Sequence, residues 1–358
     1  MNMSIKIKLA ILERDISYLK KVSDWLRNEY TDKLEVYSFT DEAVALENLE
    51  ESKIEVLLAD DSFHIDAKTL PQRCSLAYLV ESMGVDTVNN QTAIFKYQKV
   101  EQIYKQIIDV YADNPIRKGW IRPPIGNMCR ITAFASAAGG VGSSSLAAAC
   151  AINFAKRGKR TLYLNLEQLD ASSVFFSGEG QFGMSKVVLS IKSKKANLAL
   201  KLESYVRKDQ SGVFFFAPAD IAMDIIALRT EEILSLLYEL QTMGAYDVIV
   251  LDSDFSLDDN TLNVFRKAHS IVLVSDGSEI ANLKTERAFQ AIEAIEQNAD
   301  APITNRIKLM YNRFNNKTSK MLSIEGLETI GGAPRLDRST AVEMVRELSK
   351  LEVFENVQ

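Results

Sequence analysis

Ten residues, Ser136-Ala-Ala-Gly-Gly-Val-Gly-Ser-Ser-Ser145, hold the densest chemistry in this sequence. Gly139, Gly140 and Gly142 permit a turn tight enough to aim consecutive backbone N–H groups at one point, which suits phosphate oxygens. Val141, Ser143 and Ser145 complete the run, and Ser144 stands where a hydroxyl ligand for Mg²⁺ is expected. An apolar run over 131–135 enters the loop and an alanine-rich helical run over 146–155 leaves it. The helix start adds unpaired N–H groups and partial positive charge. Ser143 occupies the place of the lysine that normally reaches the β- and γ-phosphates. Such a loop can hold a nucleotide while lacking a charge that hydrolysis needs. A glycine-rich turn can also be purely structural, and the rest of the chain decides between the two.

Asp252 ends the apolar run Val-Ile-Val-Leu, about a hundred residues after the loop. A carboxylate at the end of a strand beside the loop strand suits Mg²⁺ held through its water shell. Alone it would read as a solvated strand end. Asn165-Leu-Glu167 follows another strand pattern, placing Glu167 toward the γ-phosphate side. There it either orients a water or contacts Mg²⁺, or else it is a surface loop charge. Asn312 and Arg313 follow a further apolar strand. An amide offers adenine a donor and an acceptor together, and arginine can stack on a base. Asn312 could instead only satisfy a turn.

These residues need two sheets to position them. Over 5–12, 34–38, 54–59, 75–80 and 93–95 the pattern predicts strands, and over 17–30, 41–49 and 100–111 amphipathic helices. The stretches between the third and fourth strands and after the fourth carry little helical signal, so helices there are expected to be reduced or absent. Farther on, strands are expected at 131–135, 161–166, 212–217, 246–252, 270–275 and 306–311, with helices at 230–243 and 282–297. Between them, 113–129 is proline-rich and reads as a semi-rigid linker. The expected fold class is α/β: two doubly wound domains, 1–112 and 130–358, with ligands at the carboxyl ends of the strands.

Bulk properties agree. The chain has 358 residues, 47% hydrophobic and 25% charged, which fits two soluble domains with sizeable cores. No apolar run is long enough to span a membrane. The opening Met-Asn-Met-Ser-Ile-Lys moves straight into a strand pattern and does not read as a signal peptide. Cys74, Cys129 and Cys150 are scattered, as suits a reducing cytoplasm, and with only His64 and His269 a structural zinc site is not expected. A net charge of −6 argues against broad nucleic-acid binding.

Gly-Gly-Val-Gly-Ser-Ser-Ser145, Asn165-Leu-Glu167, Phe-Phe-Phe-Ala-Pro218, Tyr-Asp-Val-Ile-Val-Leu-Asp252 and Asn312-Arg313 occur in that order. The series resembles the MinD/ParA class of deviant P-loop ATPases, and within it the TadZ/CpaE branch of pilus-assembly proteins. That branch places a CheY-like receiver domain before the ATPase domain. The resemblance implies a cytoplasmic, homodimeric factor that binds ATP with Mg²⁺. It would place a Tad-type (Flp, type IVc) pilus and secretion machine at a cell site such as a pole. Active members of the wider class carry a lysine before the Gly-Gly pair that reaches across the dimer; here it is Ala138. Asn165 and Glu167 replace the usual aspartates. Losing both cations removes charge that, in arginine-finger form, gives roughly 10³–10⁵-fold in rate. Binding is expected to survive and fast turnover is not.

By position, Asp60 resembles a receiver's phospho-acceptor, Glu13 and Asp15 its metal ligands and Lys96 its cation. The fourth strand ends Leu-Val-Glu81-Ser82, without a clear hydroxyl at the expected place, and Glu81 would repel a phosphoryl group. Docking of a protein partner without phosphate is the favoured role. The run Lys186–Lys208 (Lys192, Lys194, Lys195, Lys201, Arg207, Lys208) reads as a solvated face or as a dock for an acidic partner, anionic lipid or DNA. The tail 351–358 is too short and acidic for a membrane anchor. The alternatives are a cycling MinD/ParA-type positioning ATPase and a phosphorylation-controlled response regulator. No DNA-reading domain is expected.

Overall fold

The computed structural model describes residues 6–114, 129–193, 197–297, 302–336 and 340–357. They form two compact units, one of residues 6–114 with 197–204, the other of the remainder.

In the first unit the elements run β1 (Ile7–Leu12), α1 (Ile16–Glu29), β2 (Leu34–Phe39), α2 (Glu42–Glu51), β3 (Val56–Asp60), β4 (Ser75–Val80), β5 (Thr87–Val88), β6 (Gln91–Phe95) and α3 (Val100–Ala112). The sheet order is β2-β1-β3-β4-β6-β5, parallel except for the β5–β6 pair. Successive strand residues face opposite sides. Leu9, Ile11, Val56 and Leu58 join the core with α1 and α3, while Ala10, Leu12, Leu57 and Ala59 join the one with α2. The weak helical signal after the third and fourth strands is matched by a single 3₁₀ turn, Ala67–Thr69, and by the short β5 hairpin strand.

The second unit holds β7 (Arg130–Ala135), α4 (Ser143–Lys156), β8 (Thr161–Asn165), α5 (Met184–Lys192), β9 (Arg207–Lys208), β10 (Phe214–Phe215), α7 (Met223–Ile226), α8 (Thr230–Thr242), β11 (Val248–Asp252), α9 (Asp259–Lys267), β12 (Ser270–Ser275), α10 (Glu279–Ile295), β13 (Ile307–Phe314), β14 (Glu328–Pro334) and α11 (Ala341–Leu348). Its sheet order is β14-β13-β12-β7-β11-β8-β10-β9, parallel except for β9 with β10. β7 lies between β12 and β11; the chain leaves it toward β8 on one side and later crosses from β11 to β12 on the other, which opens a crevice at its carboxyl end. Every residue of α4 from Ser145 to Phe154 is buried. Its small alanines let the helix pack closely among the sheet and α11.

Three features depart from the sequence reading. Strand β14 (Glu-Thr-Ile-Gly-Gly-Ala-Pro) looks like a loop by composition. It pairs with β13 at the sheet edge, through two register shifts, where proline and glycine are tolerated. The tail is a 3₁₀ segment (Glu352–Val357) that buries Phe354 and Val357 in the second core. Finally α6 (Leu198–Tyr205), expected within 130–358, packs through residues 198–204 with the first unit. Leu200 enters the core formed with α1 and α3. Lys201 is buried, its Nζ 2.8 Å from the Asp109 carbonyl oxygen, 2.5 Å from Asp109 Oδ1 and 2.8 Å from Asp113 Oδ2. Lys33 pairs with Glu203. The linker expected at 113–129 lies, over 115–128, outside the described residues.

Candidate nucleotide site and the receiver pocket

The loop between β7 and α4 is held from inside. Ser136 Oγ donates to the Val274 carbonyl at 2.6 Å and accepts from the Ala138 N–H at 3.1 Å. Gly140 and Gly142 have φ of +78° and +88°, the left-handed region that glycine enters without steric cost. Gly142 is doubly constrained: a Cβ there would lie 2.4 Å from Asn312 Nδ2. That close approach exists because Asn312, 3% exposed, donates its amide to the Val141 carbonyl at 2.7 Å. Arg313 Nη1 donates to the Gly140 carbonyl at 3.2 Å. Arg313 itself has φ of +56° where β13 slips register against β14, so the strand end is bent to bring both side chains onto the loop. Reading a base with the Asn312 amide nitrogen would require it to leave Val141.

Ser143, Ser144 and Ser145 begin α4, whose first N–H groups have no helical acceptors. Ser144 Oγ donates to Glu167 Oε1 at 3.0 Å. Asn165, at the end of β8, accepts from the Glu167 N–H at 2.7 Å and donates to Glu167 Oε2 at 3.1 Å. Burial raises the Glu167 carboxyl above its ordinary range, against the lowering effect of the Asn165 and Ser144 bonds. Asp252, paired in register with Asn165 across β11 and β8, is fully buried. Its Oδ2 accepts from the Tyr163 hydroxyl at 2.6 Å. Burial and then the Glu167 charge push the Asp252 carboxyl up to about 8, although the Tyr163 bond pulls the other way.

Two buried oxygens here have no hydrogen-bond partner: Asp252 Oδ1 and Ser143 Oγ. Buried polar atoms are normally satisfied, so an orphaned carboxylate oxygen beside a helix N-terminus fits a missing cation and anion. Ala138 is buried and apolar, and Ser143 is neutral. The cationic side chain that the described contacts place on the loop is Arg313. The sequence reading assembled Ser144, Glu167, Asp252, Asn312 and Arg313 around the loop, and the structure brings them together. It missed Tyr163, whose single signal is a polar hydroxyl inside an otherwise apolar strand.

The first unit has its own acidic pocket at the strand ends. Lys96, 5% exposed, lies 2.9 Å from Glu13 Oε2, contacts Asp60 Oδ2 and reaches to 3.7 Å from Glu81 Oε1. Burial acts to raise the Asp60 carboxyl, but the bonds from Lys96 and Ser62 outweigh it and hold the group below its ordinary range. Asp60 and Glu13 in turn hold the Lys96 ammonium above its ordinary range despite burial. Asp15 caps α1, accepting from the N–H groups of Ser17 at 2.8 Å and Tyr18 at 3.1 Å. Among the described residues no three histidines, cysteines or carboxylates converge as a metal-ligand set.

The basic run does not form one face. Lys201 is buried as above, and the Arg207 guanidinium donates to the Phe182 carbonyl at 3.2 and 3.0 Å. Lys192 donates to the Ala227 carbonyl, while Lys194 and Lys195 lie outside the described residues.

Residues 5–112 match the protein-family model of the TadZ-like receiver domain. The first unit is thus similar to TadZ-like receiver domains. No curated protein matches the chain. Among solved structures, a ParA family ATPase from Chlorobium tepidum TLS superposes with a TM-score of 0.51 at 17% identity, over 65% of this chain and 96% of that one. The MinD cell division protein of Aquifex aeolicus gives 0.47 at 17% identity, over 64% and 93%. The septum site-determining protein MinD of Pyrococcus horikoshii OT3, complexed with Mg-ADP, gives 0.45 at 15% identity, over 64% and 93%. The ParA superposition establishes the fold of the second unit. A TadZ-like receiver domain followed by a ParA-type fold is the order that the sequence motifs resemble in the TadZ/CpaE branch. No helix among the described residues is long and apolar enough to cross a membrane.

Proposed function

We propose that this chain is an ATP-binding localisation and scaffold factor for a Tad-type (Flp, type IVc) pilus and secretion machine, homodimeric, with weak or no ATP hydrolysis. The observation that carries the nucleotide reading is the orphaned Asp252 Oδ1 beside a glycine loop at a buried helix N-terminus. In this reading the loop N–H groups receive the phosphates, and Ser144, Asp252 and Glu167 hold Mg²⁺ directly or through its waters. Bound there, Mg²⁺ would neutralise phosphate charge. Asn312 and Arg313 fix the loop and face the nucleotide, with adenine contact by Asn312 as the finer expectation. Ala138 and Ser143 supply no cation to stabilise charge developing on the γ-phosphate, so ATP acts as a ligand that orders the protein.

The TadZ-like domain supports the pilus assignment, and with it a cytoplasmic protein recruited to a cell pole or a membrane-associated machine. The saturated Lys96 pocket favours a receiver domain that docks partners without phosphate on Asp60. Single-turnover phosphate release from preloaded protein, with light scattering on the same sample, tests the proposal. The expected result is a dimer that retains ATP. Robust multiple turnover, or a monomer with and without ATP at micromolar concentration, would sink it.

A further inference from the structure

Tyr163 is a fully buried tyrosine in the middle of β8, where the other inward positions are aliphatic or carry polar groups at the strand end. Its ring is fixed by aromatic packing: the Phe176 centroid lies 4.9 Å away, and Phe176 in turn lies 5.7 Å from Phe215. Leucine or phenylalanine would serve that packing. A buried hydroxyl is costly unless it is bonded, so the bond it makes is the informative one. That bond is the 2.6 Å donation to Asp252 Oδ2, across the register pairing of Tyr163 with Val250. It occupies one carboxylate oxygen and leaves the other, Oδ1, without a partner. The phenolic oxygen also lies 3.5 Å from Asn165 Nδ2, which bonds Glu167 Oε2 at 3.1 Å. Asp252, Tyr163, Asn165, Glu167 and Ser144 therefore form one connected chain of polar groups around the helix start.

We infer that Tyr163 is a positioning residue of the cation site: its hydroxyl locks the Asp252 carboxylate so that Oδ1 is the oxygen offered to a hydrated divalent cation, and through Asn165 it ties Asp252 to Glu167. The inference rests on the nucleotide reading above. A carboxylate held on one oxygen by a rigid phenol does not have to reorient when the cation arrives. Tyr163 thus sets how much Mg²⁺ strengthens nucleotide binding, not how well the loop receives phosphates.

The test is calorimetric titration of the full chain with ATP, in excess Mg²⁺ and in EDTA, for wild type, Tyr163→Phe, Asp252→Asn and the double variant. Wild type is expected to bind more tightly with Mg²⁺ than without. In Tyr163→Phe that enhancement should fall several-fold while affinity in EDTA stays the same, and the effect of Tyr163→Phe should vanish in the Asp252→Asn background. A merely structural tyrosine would weaken both conditions alike, which overturns the inference. So does an unchanged enhancement in Tyr163→Phe with its melting profile intact. Failure of wild type to bind ATP at all would overturn the nucleotide reading first, and this inference with it.

Discussion

Each unit gathers carboxylates at the carboxyl ends of parallel strands, yet the two gatherings are in opposite electrostatic states. In the receiver domain Lys96 stands among Glu13, Asp60 and Glu81, and Asp15 is occupied in capping α1. Each charge already has its counter-charge or its donors. In the ParA-type unit the described contacts pair neither Asp252 nor Glu167 with a lysine or arginine, both carboxyls are raised, and Asp252 Oδ1 and Ser143 Oγ lack hydrogen-bond partners. One pocket carries its cation in the chain; the other is built to receive one. This difference is what the proposed roles, docking for the first pocket and ligand binding for the second, require.

The largest expected effect comes from removing the internal cation. Lys96→Met leaves Glu13 and Asp60 buried without a partner, and breaking such a pair typically costs about 3–5 kcal/mol. Denaturant unfolding of the full chain should show the receiver domain melting early. A loss within experimental error of zero would mean that the pocket relaxes to admit water or ions, and the contrast between the pockets would disappear.

The second effect is the response to pH. Asp252 is raised to about 8, so between its unfolded value near 4 and its folded value the native state holds more protons than the unfolded one. Stability of the ligand-free ParA-type unit should therefore fall as pH rises through that window. Asp60 is lowered and Lys96 raised, so the receiver pocket contributes its stability throughout the same window. The Asp60 part is lost only as pH falls through its depressed value, and the Lys96 part only as pH rises through its elevated one. Melting curves from pH 5 to roughly 8 should slope downward for one unit and stay flat for the other. Mg²⁺ with ATP should remove the downward slope, because cation binding needs the ionised carboxylate. Parallel slopes in both units would contradict the account.

A smaller effect is expected at the loop latch. Asn312→Ala removes the donor to the Val141 carbonyl, a loss of about 0.5–1.5 kcal/mol for a neutral bond and more where a buried acceptor is left unpaired. ATP affinity should weaken several-fold. If ATP and GTP weaken equally, Asn312 acts through the loop alone; if preference for ATP also relaxes, it reads the base as well. An unchanged affinity would show that it does neither.

Much of this was legible in the residues. Continuous apolar runs located most strands of both sheets, and the loop glycines announced the tight turn between β7 and α4. What stayed hidden depends on partners far away in the sequence. The need for glycine at position 142 comes partly from φ, readable in a Gly-x-Gly turn, and partly from Asn312, some 170 residues later. Strand β14 is held by pairing with β13 rather than by its own propensity. Lys201 reads as one charge of a solvated run until Asp109 and Asp113 are seen to enclose it. Likewise Tyr163 reads as an ordinary β-strand aromatic, because nothing local reveals that its hydroxyl meets Asp252.

The central claim is that the ParA-type unit awaits a cation and a nucleotide that it holds without consuming. Calorimetric titration of the wild-type chain with ATP, in Mg²⁺ and in EDTA, measures it most directly. The account predicts binding in both conditions, clearly tighter with Mg²⁺, with a stable heat signal and no drift from continued hydrolysis. Equal affinity with and without Mg²⁺, or no binding, would contradict it.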